Sequence, residues 1–260
     1  MAKKWLVGTL MAIMFFSIMG CGDSKAVNNK SETKKVLKVG TNPNFAPFDF
    51  MDSDGKMAGF DIDLIHAIGK KIGREIQMEN IAFDGLIPAI QAGNIDMTIA
   101  GMTITEARKK SVLFSDPYYQ SGLIVAVKMD NSQIQSIHDL TGKKIAAQIG
   151  TTGAMSARKV EGATVREFNA SPETFMELKN NGVDAVVNDL PVVQYFIKTN
   201  GAKDFKMVGE VLSAESYGIA MNLKNTELAA EVNRALAELK KSGEYDKIYE
   251  KWFGQKSPQK

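Results

Sequence analysis

The sequence predicts an α/β protein of two lobes. Three observations carry that prediction. Apolar strand-like runs alternate with helical patterns along most of the chain, as in largely parallel sheets. The alternation comes as two series separated by one long extended stretch, "VLFSDPYYQSGLIVAVK". Three strand ends carry clusters of polar residues, and open α/β sheets bind ligands beyond the carboxyl ends of their strands.

The first twenty residues stand outside that pattern. Lys3 and Lys4 precede an uncharged run from Trp5 to Met19 that Gly20 and Cys21 close, the layout of a secretory signal. A membrane span needs about 20 apolar residues, and this run is shorter. Cys21 is the only cysteine, which excludes an intrachain disulfide. "IMGC" resembles a bacterial lipobox, in which that thiol is lipidated and anchors the protein; ordinary cleavage nearby is the competing reading. Residues 21–35 are polar and aperiodic and are expected to form a flexible tether. The last residues, "GQKSPQK", read as a frayed tail.

Charge narrows the function classes. The chain has 32 Lys+Arg against 30 Asp+Glu, and two of those lysines sit in the leader, so the remainder is balanced. No basic stripe of the kind a nucleic-acid binder needs is present.

"VLKVGT" is the first strand. Asp54-Gly55 marks a hairpin turn, and "FDIDLIHAIGKKIG" places Leu64, Ile65, Ile68 and Ile72 on one helical face. "FDGLIPAIQAGN" reads as a helix capped by Asp84 and stopped by Gly93, and "IDMTIA" as a strand. In the second series, "KKIAAQIG" leads into the helix "TTGAMSARKV", "ATVREF" into "PETFMELKNNG", and "VDAVVND" into "PVVQYFIKTN". Last come a strand, "SYGIAMN", and an amphipathic helix, "TELAAEVNRALAELKKSG".

The stretch "AGMTITEARKK" holds the strongest chemistry. Thr103 and Glu106 have capping-box spacing, Gly101 permits a close turn, and Arg108 offers a planar two-pronged donor to a carboxylate. Free N–H groups at a helix start attract an anion. The same residues also fit a self-capped surface helix. Asp189, at a strand end in "NDLP", suits an ammonium group, and equally suits capping the helix that Pro191 begins. Together Arg108 and Asp189 match the two ends of an α-amino acid. Phe45 and Phe83 fit either a pocket wall or the core.

From Val36 to Phe253 the chain resembles the polar amino-acid receptors of bacterial ABC import systems, with glutamine-binding proteins as the nearest likeness. The stretches that carry it are "VGTNPNFAPFDF", "GFDIDL", "FDGLIPAIQ", "IAGMTITEARKK", "FSDPYYQSGLIV", "DAVVNDLP", "YFIKT" and "YDKIYEKWFG". The resemblance implies a two-lobed type II periplasmic-binding-protein fold, with a mixed sheet flanked by helices in each lobe and a two-strand hinge. Lobe 1 would comprise residues 36–121 and 215–256, lobe 2 residues 122–214, with 257–260 as tail. It implies a carboxylate clamp at Arg108 with Gly101 and Thr103, an ammonium acceptor at Asp189, and aromatic walls at Phe45 and Phe83. Asn42, Gln148, Thr152 and Asn188 replace the aspartate, lysine, glycine and histidine of the glutamine receptors, so the side-chain end of the pocket differs. Carboxamides both donate and accept, which favours an uncharged polar ligand, glutamine first. An arginine, lysine or histidine receptor is the alternative, in which a carboxylate such as Asp84 would supply the counter-charge.

The implied partners are an L-amino acid and a membrane permease, with the protein an extracytoplasmic, lipid-anchored monomer that needs no cofactor or metal. A sensory domain and a lyase on the same fold are the rival classes. Against catalysis, His66 and His138 lie away from the polar strand ends, and neither a zinc spacing nor a G-x-S-x-G elbow occurs.

Overall fold

The computed structural model describes residues 36–258, so the leader, Cys21 and the tether lie outside the described residues. The strand Val36–Thr41 is the spine of the first sheet, with Glu75–Asn80 and Met97–Thr98 parallel on either side. Two late or short strands finish this sheet antiparallel, Ala220–Met221 and then Leu113–Phe114. The second sheet runs Thr164–Phe168, Lys144–Gln148, Ala185–Asp189, Tyr119–Lys128, Phe205–Val208, parallel through its first three members and antiparallel beyond. The two-lobed α/β architecture expected from the alternation is the one observed.

Two strands connect the sheets. Tyr119–Lys128 carries the chain into the second sheet, and Ala214–Tyr217 pairs antiparallel with its start on the way back, Glu215 opposite Ser121 and Tyr217 opposite Tyr119. Gly122 allows that pairing, since a Cβ there would sit 2.3 Å from the Ser213 carbonyl oxygen.

The helix Phe60–Lys71 follows from its apolar spacing: Phe60, Leu64, Ile65 and Ile68 are fully buried in the first lobe, and Ile72 packs beside them. Burial of each such side chain contributes about 1.5–3 kcal/mol. Gly93, in the left-handed region, ends the helix Leu86–Ala92 as expected. Thr226–Ser242 and the helix after it, Glu244–Phe253, pack Leu236, Leu239, Tyr245 and Tyr249 into the same core.

Several sequence expectations change. The strand at "IDMTIA" is only two residues long. "SYGIAMN" divides into two strands, because the chain leaves the connecting ribbon at Gly218 before joining the first sheet. Glu75–Asn80 escaped the pattern because it is an edge strand with mostly polar, half-exposed residues. Phe205–Val208 and Glu244–Phe253 were likewise not predicted as elements. Asp84 caps nothing: it sits in a single 3-10 turn, Phe83–Gly85, and makes no capping hydrogen bond.

Candidate functional site

The polar strand ends meet in one narrow cavity between the sheets. Asn42 and Phe45 reach it from the end of the first strand, Gly101 and Thr103 from the end of Met97–Thr98. Gln148, Thr152 and Asp189 come from the second sheet, and Phe83 and Arg108 complete the wall. Nine of the ten residues expected to bind ligand therefore line the same space. The walls stand close enough that only about one water molecule has room between them.

Arg108 is 7% exposed and sits in a single helical turn, Glu106–Lys109. That turn is capped by Thr105, whose hydroxyl accepts from the Arg108 backbone N–H at 3.2 Å. The capping box expected at Thr103 and Glu106 does not form, and the single cap at Thr105 leaves the Thr103 hydroxyl for a different partner. The guanidinium donates to the Thr103 carbonyl at 2.6 Å and, across the cleft, to the Gly150 carbonyl at 3.0 Å. It also stands 5.4 Å over the Phe83 ring. Burial lowers the Arg108 pKa, and the charges of Glu215 and Asp189 oppose that shift, so the group stays cationic. One turn of helix has little macrodipole, and the Gly101 N–H is already given to Asp61 Oδ2 at 2.7 Å. The attraction for an anion is therefore the guanidinium's own.

Gly101 has φ +54°, and a Cβ there would lie 2.8 Å from the Phe45 ring, so only glycine keeps this wall intact. Phe45 and Phe83 serve both roles weighed for them: each belongs to a hydrophobic cluster and each faces the cavity.

Asp189 is 4% exposed at the end of its strand and makes no capping hydrogen bond to the helix it precedes. Its Oδ1 accepts instead from the Tyr217 hydroxyl at 2.6 Å and the Ser121 hydroxyl at 3.1 Å, both on the connecting strands. Burial, then the negative charge of Glu215, pushes its pKa up to about 7, against the pull of those hydroxyls and of Arg108.

Asn42 and Gln148 face one another across the cleft, Gln148 Nε2 donating to Asn42 Oδ1 at 2.8 Å and to the Asn169 carbonyl at 3.0 Å. Asn188 is the expected residue that does not line the cavity. Its amide donates to Ser171 Oγ at 2.7 Å and its oxygen accepts from the Asp189 N–H, so it fixes the strand end from behind. Asp84 is exposed and does not line the cavity either, although its Cβ faces Gly150. His66 is exposed on the helix Phe60–Lys71 and His138 lies in the short 3-10 turn Ile137–Leu140, both outside the lining.

Sequence reasoning missed the supporting layer. Glu215, 8% exposed, accepts from Thr103 Oγ1 at 2.7 Å and Thr152 Oγ1 at 2.9 Å. Tyr217 and Ser121 hold Asp189, and Thr151 lines the cavity while capping the helix Thr152–Ala157. Asp61 anchors Gly101 and accepts from the Tyr118 hydroxyl at 2.8 Å. For Glu215, Tyr217 and Ser121 it is strand pairing over a long sequence separation that creates these contacts, and no local motif announces them.

Comparison with known proteins gives one answer. The model for bacterial extracellular solute-binding proteins, family 3, matches residues 37–255. A probable histidine-binding protein of Neisseria gonorrhoeae is 35% identical over 99% of this chain and 98% of its own length. An ancestral arginine-binding protein bound to arginine superimposes with a TM-score of 0.83 at 50% identity, covering 85% of this chain and 99% of that one. A structure described as an ancestral arginine-binding protein bound to glutamine gives 0.80 at 49% identity over the same shares.

Proposed function

This chain belongs to the bacterial extracellular solute-binding proteins of family 3, and we propose that it captures a basic L-amino acid, arginine first, and delivers it to a membrane permease. The observation that carries the reading is the placement of one buried guanidinium, Arg108, and one buried carboxylate, Asp189, in a single cavity between the lobes. Arg108 would take the α-carboxylate and Asp189 the α-ammonium, so the ligand bridges the lobes and stabilises the closed state. Gly101, Thr103 and Thr152 flank those contacts, and Phe45 and Phe83 enclose the stem. The lobes would be residues 36–121 with 215–256, and 122–214, turning about the two connecting strands.

The preference for a basic ligand draws on the relatives described as histidine- and arginine-binding, and it replaces glutamine as the first choice. Glutamine remains the second reading, on the carboxamide pair Asn42 and Gln148 and on the glutamine-bound relative. The expected attachment of Cys21 to lipid is kept as part of the proposal; mass spectrometry of the membrane fraction from wild type and Cys21→Ser tests it.

The test of ligand identity is calorimetry of the purified chain, unfolded and refolded to strip co-purified ligand, against all twenty amino acids. Tightest binding of arginine supports the reading. Tightest binding of glutamine would move the assignment to the second, and no heat with any amino acid would overturn receptor function itself.

A further inference from the structure

Glu215 is a buried carboxylate that the ligand contacts proposed above do not use. It lies on the strand Ala214–Tyr217, between the lobes, and one oxygen, Oε2, accepts hydroxyl protons from opposite sides of the cleft: Thr103 at 2.7 Å and Thr152 at 2.9 Å. Its other oxygen accepts from Ser213 Oγ at 3.2 Å. Three hydroxyl donors thus converge on this carboxylate, and its charge reaches the nearby Arg108. A threonine hydroxyl has a single proton. The two hydroxyl oxygens stand 3.5 Å apart, and once both give their protons to Glu215 each can only accept from a ligand beside them.

We infer that Glu215 sets the charge preference of this receptor, by committing the Thr103 and Thr152 hydroxyls as acceptors and by giving the cavity one more negative charge than a zwitterion can balance. The inference rests on the receptor reading above. With a ligand's ammonium on Asp189, which favours that carboxylate's ionised form, the cavity holds one positive charge at Arg108 and two negative ones at Asp189 and Glu215. An amino acid with a neutral side chain satisfies Arg108 and Asp189 and leaves Glu215 uncompensated. A ligand of net charge +1 neutralises the whole set, and the low local dielectric makes that difference count. The counter-charge sought at Asp84 from the sequence is thereby assigned to the hinge, behind the α-carbon end of the ligand.

The test compares arginine with citrulline, which has nearly the same shape and no side-chain charge. Calorimetry of the full-length wild type, Glu215→Gln and Glu215→Asp, each checked by its melting curve, gives the ratio of the two affinities. In Glu215→Gln the preference for arginine should fall by about tenfold. In Glu215→Asp, which keeps the charge on a shorter stem, the preference should persist even where both affinities drop. A merely structural role would weaken both ligands equally and leave the ratio unmoved. An unchanged ratio in Glu215→Gln, in a wild type that binds arginine, overturns this inference alone. Should Glu215→Gln fail to fold, loss of the preference in Glu215→Asp overturns it and retention upholds it. A wild type that binds neither ligand overturns the receptor reading and this inference with it.

Discussion

The Tyr217 hydroxyl donates to Asp189 Oδ1 at 2.6 Å, from the strand Ala214–Tyr217 that branches off the sheet carrying Asp189 by pairing with Tyr119–Lys128. The contact ties the carboxylate proposed to take the ammonium to the strands that connect the two sheets. It also holds down a carboxylate whose pKa burial and Glu215 push up to about 7. Only the ionised form attracts an ammonium, so affinity for an amino acid should decline as pH falls below about 7, by up to about tenfold per unit. Tyr217→Phe removes a hydrogen bond to the charged form, worth about 1.5–3 kcal/mol. The variant should bind at least about tenfold more weakly at pH 7 and recover part of the loss at pH 8.5. Titration calorimetry across pH reads both effects, and a pH-independent affinity in wild type would contradict the role given to Asp189.

Arg108 joins the cleft from both sides, through the Thr103 and Gly150 carbonyls. Arg108→Ala should cost about 2–5 kcal/mol of affinity for every amino acid alike, because it removes the group proposed to take the α-carboxylate that all share. Arg108→Lys keeps the charge but not the fork, and is expected to fall between wild type and alanine. Unaltered binding by the alanine variant would remove Arg108 from the site.

Asp61 and Asp49 are fully buried, and each leaves one carboxyl oxygen, Oδ1, without a hydrogen-bond partner. Burial raises Asp61 from its ordinary 3.8 to about 7, and burial with the neighbouring Asp61 charge holds Asp49 well above the usual range. A raised carboxyl pKa means the folded protein keeps a proton that the unfolded chain releases. The stability it brings is complete below about pH 4 and is lost as pH rises through about 7. Chemical denaturation without ligand should therefore show stability falling from pH 5 to pH 7. Asp61→Asn should flatten that slope by roughly one proton, about 1.4 kcal/mol per pH unit. Parallel slopes in wild type and variant would show that Asp61 is ionised at both pH values.

What the sequence disclosed and what it hid have separate physical causes. Asp189 and Gly101 stand at or just past strand ends and Arg108 in the helical turn that follows, where the local pattern already marks a site, and the cavity gathers all three. Thr103 also lines the cavity, yet its spacing to Glu106 points to a cap, whereas its hydroxyl donates to Glu215, 112 residues away in sequence. Glu215 and Tyr217 lie in a stretch that reads as an ordinary strand, and only the antiparallel pairing with Tyr119–Lys128 brings them to the cleft. The edge strand Glu75–Asn80 was hidden because an edge needs no continuous apolar run.

The carboxamide pair at the far end of the cavity offers a separate handle on specificity. Asn42 Oδ1 accepts from Gln148 Nε2, while the Asn42 backbone N–H is given to Asp49 at 3.1 Å. Asn42→Asp preserves the acceptor that Gln148 needs and replaces a neutral amide with a charge. The new carboxylate faces the cavity from the wall opposite Gln148, so it should favour a cationic side chain and penalise a neutral one. Competition binding should show arginine gaining over glutamine by about fivefold to tenfold. Proximity to buried Asp49 sets the cost: two acidic groups at one chain turn should lower the melting temperature above pH 7 more than at pH 5. A variant whose arginine-to-glutamine ratio matches wild type would place the ligand's side chain elsewhere, away from Asn42 and Gln148.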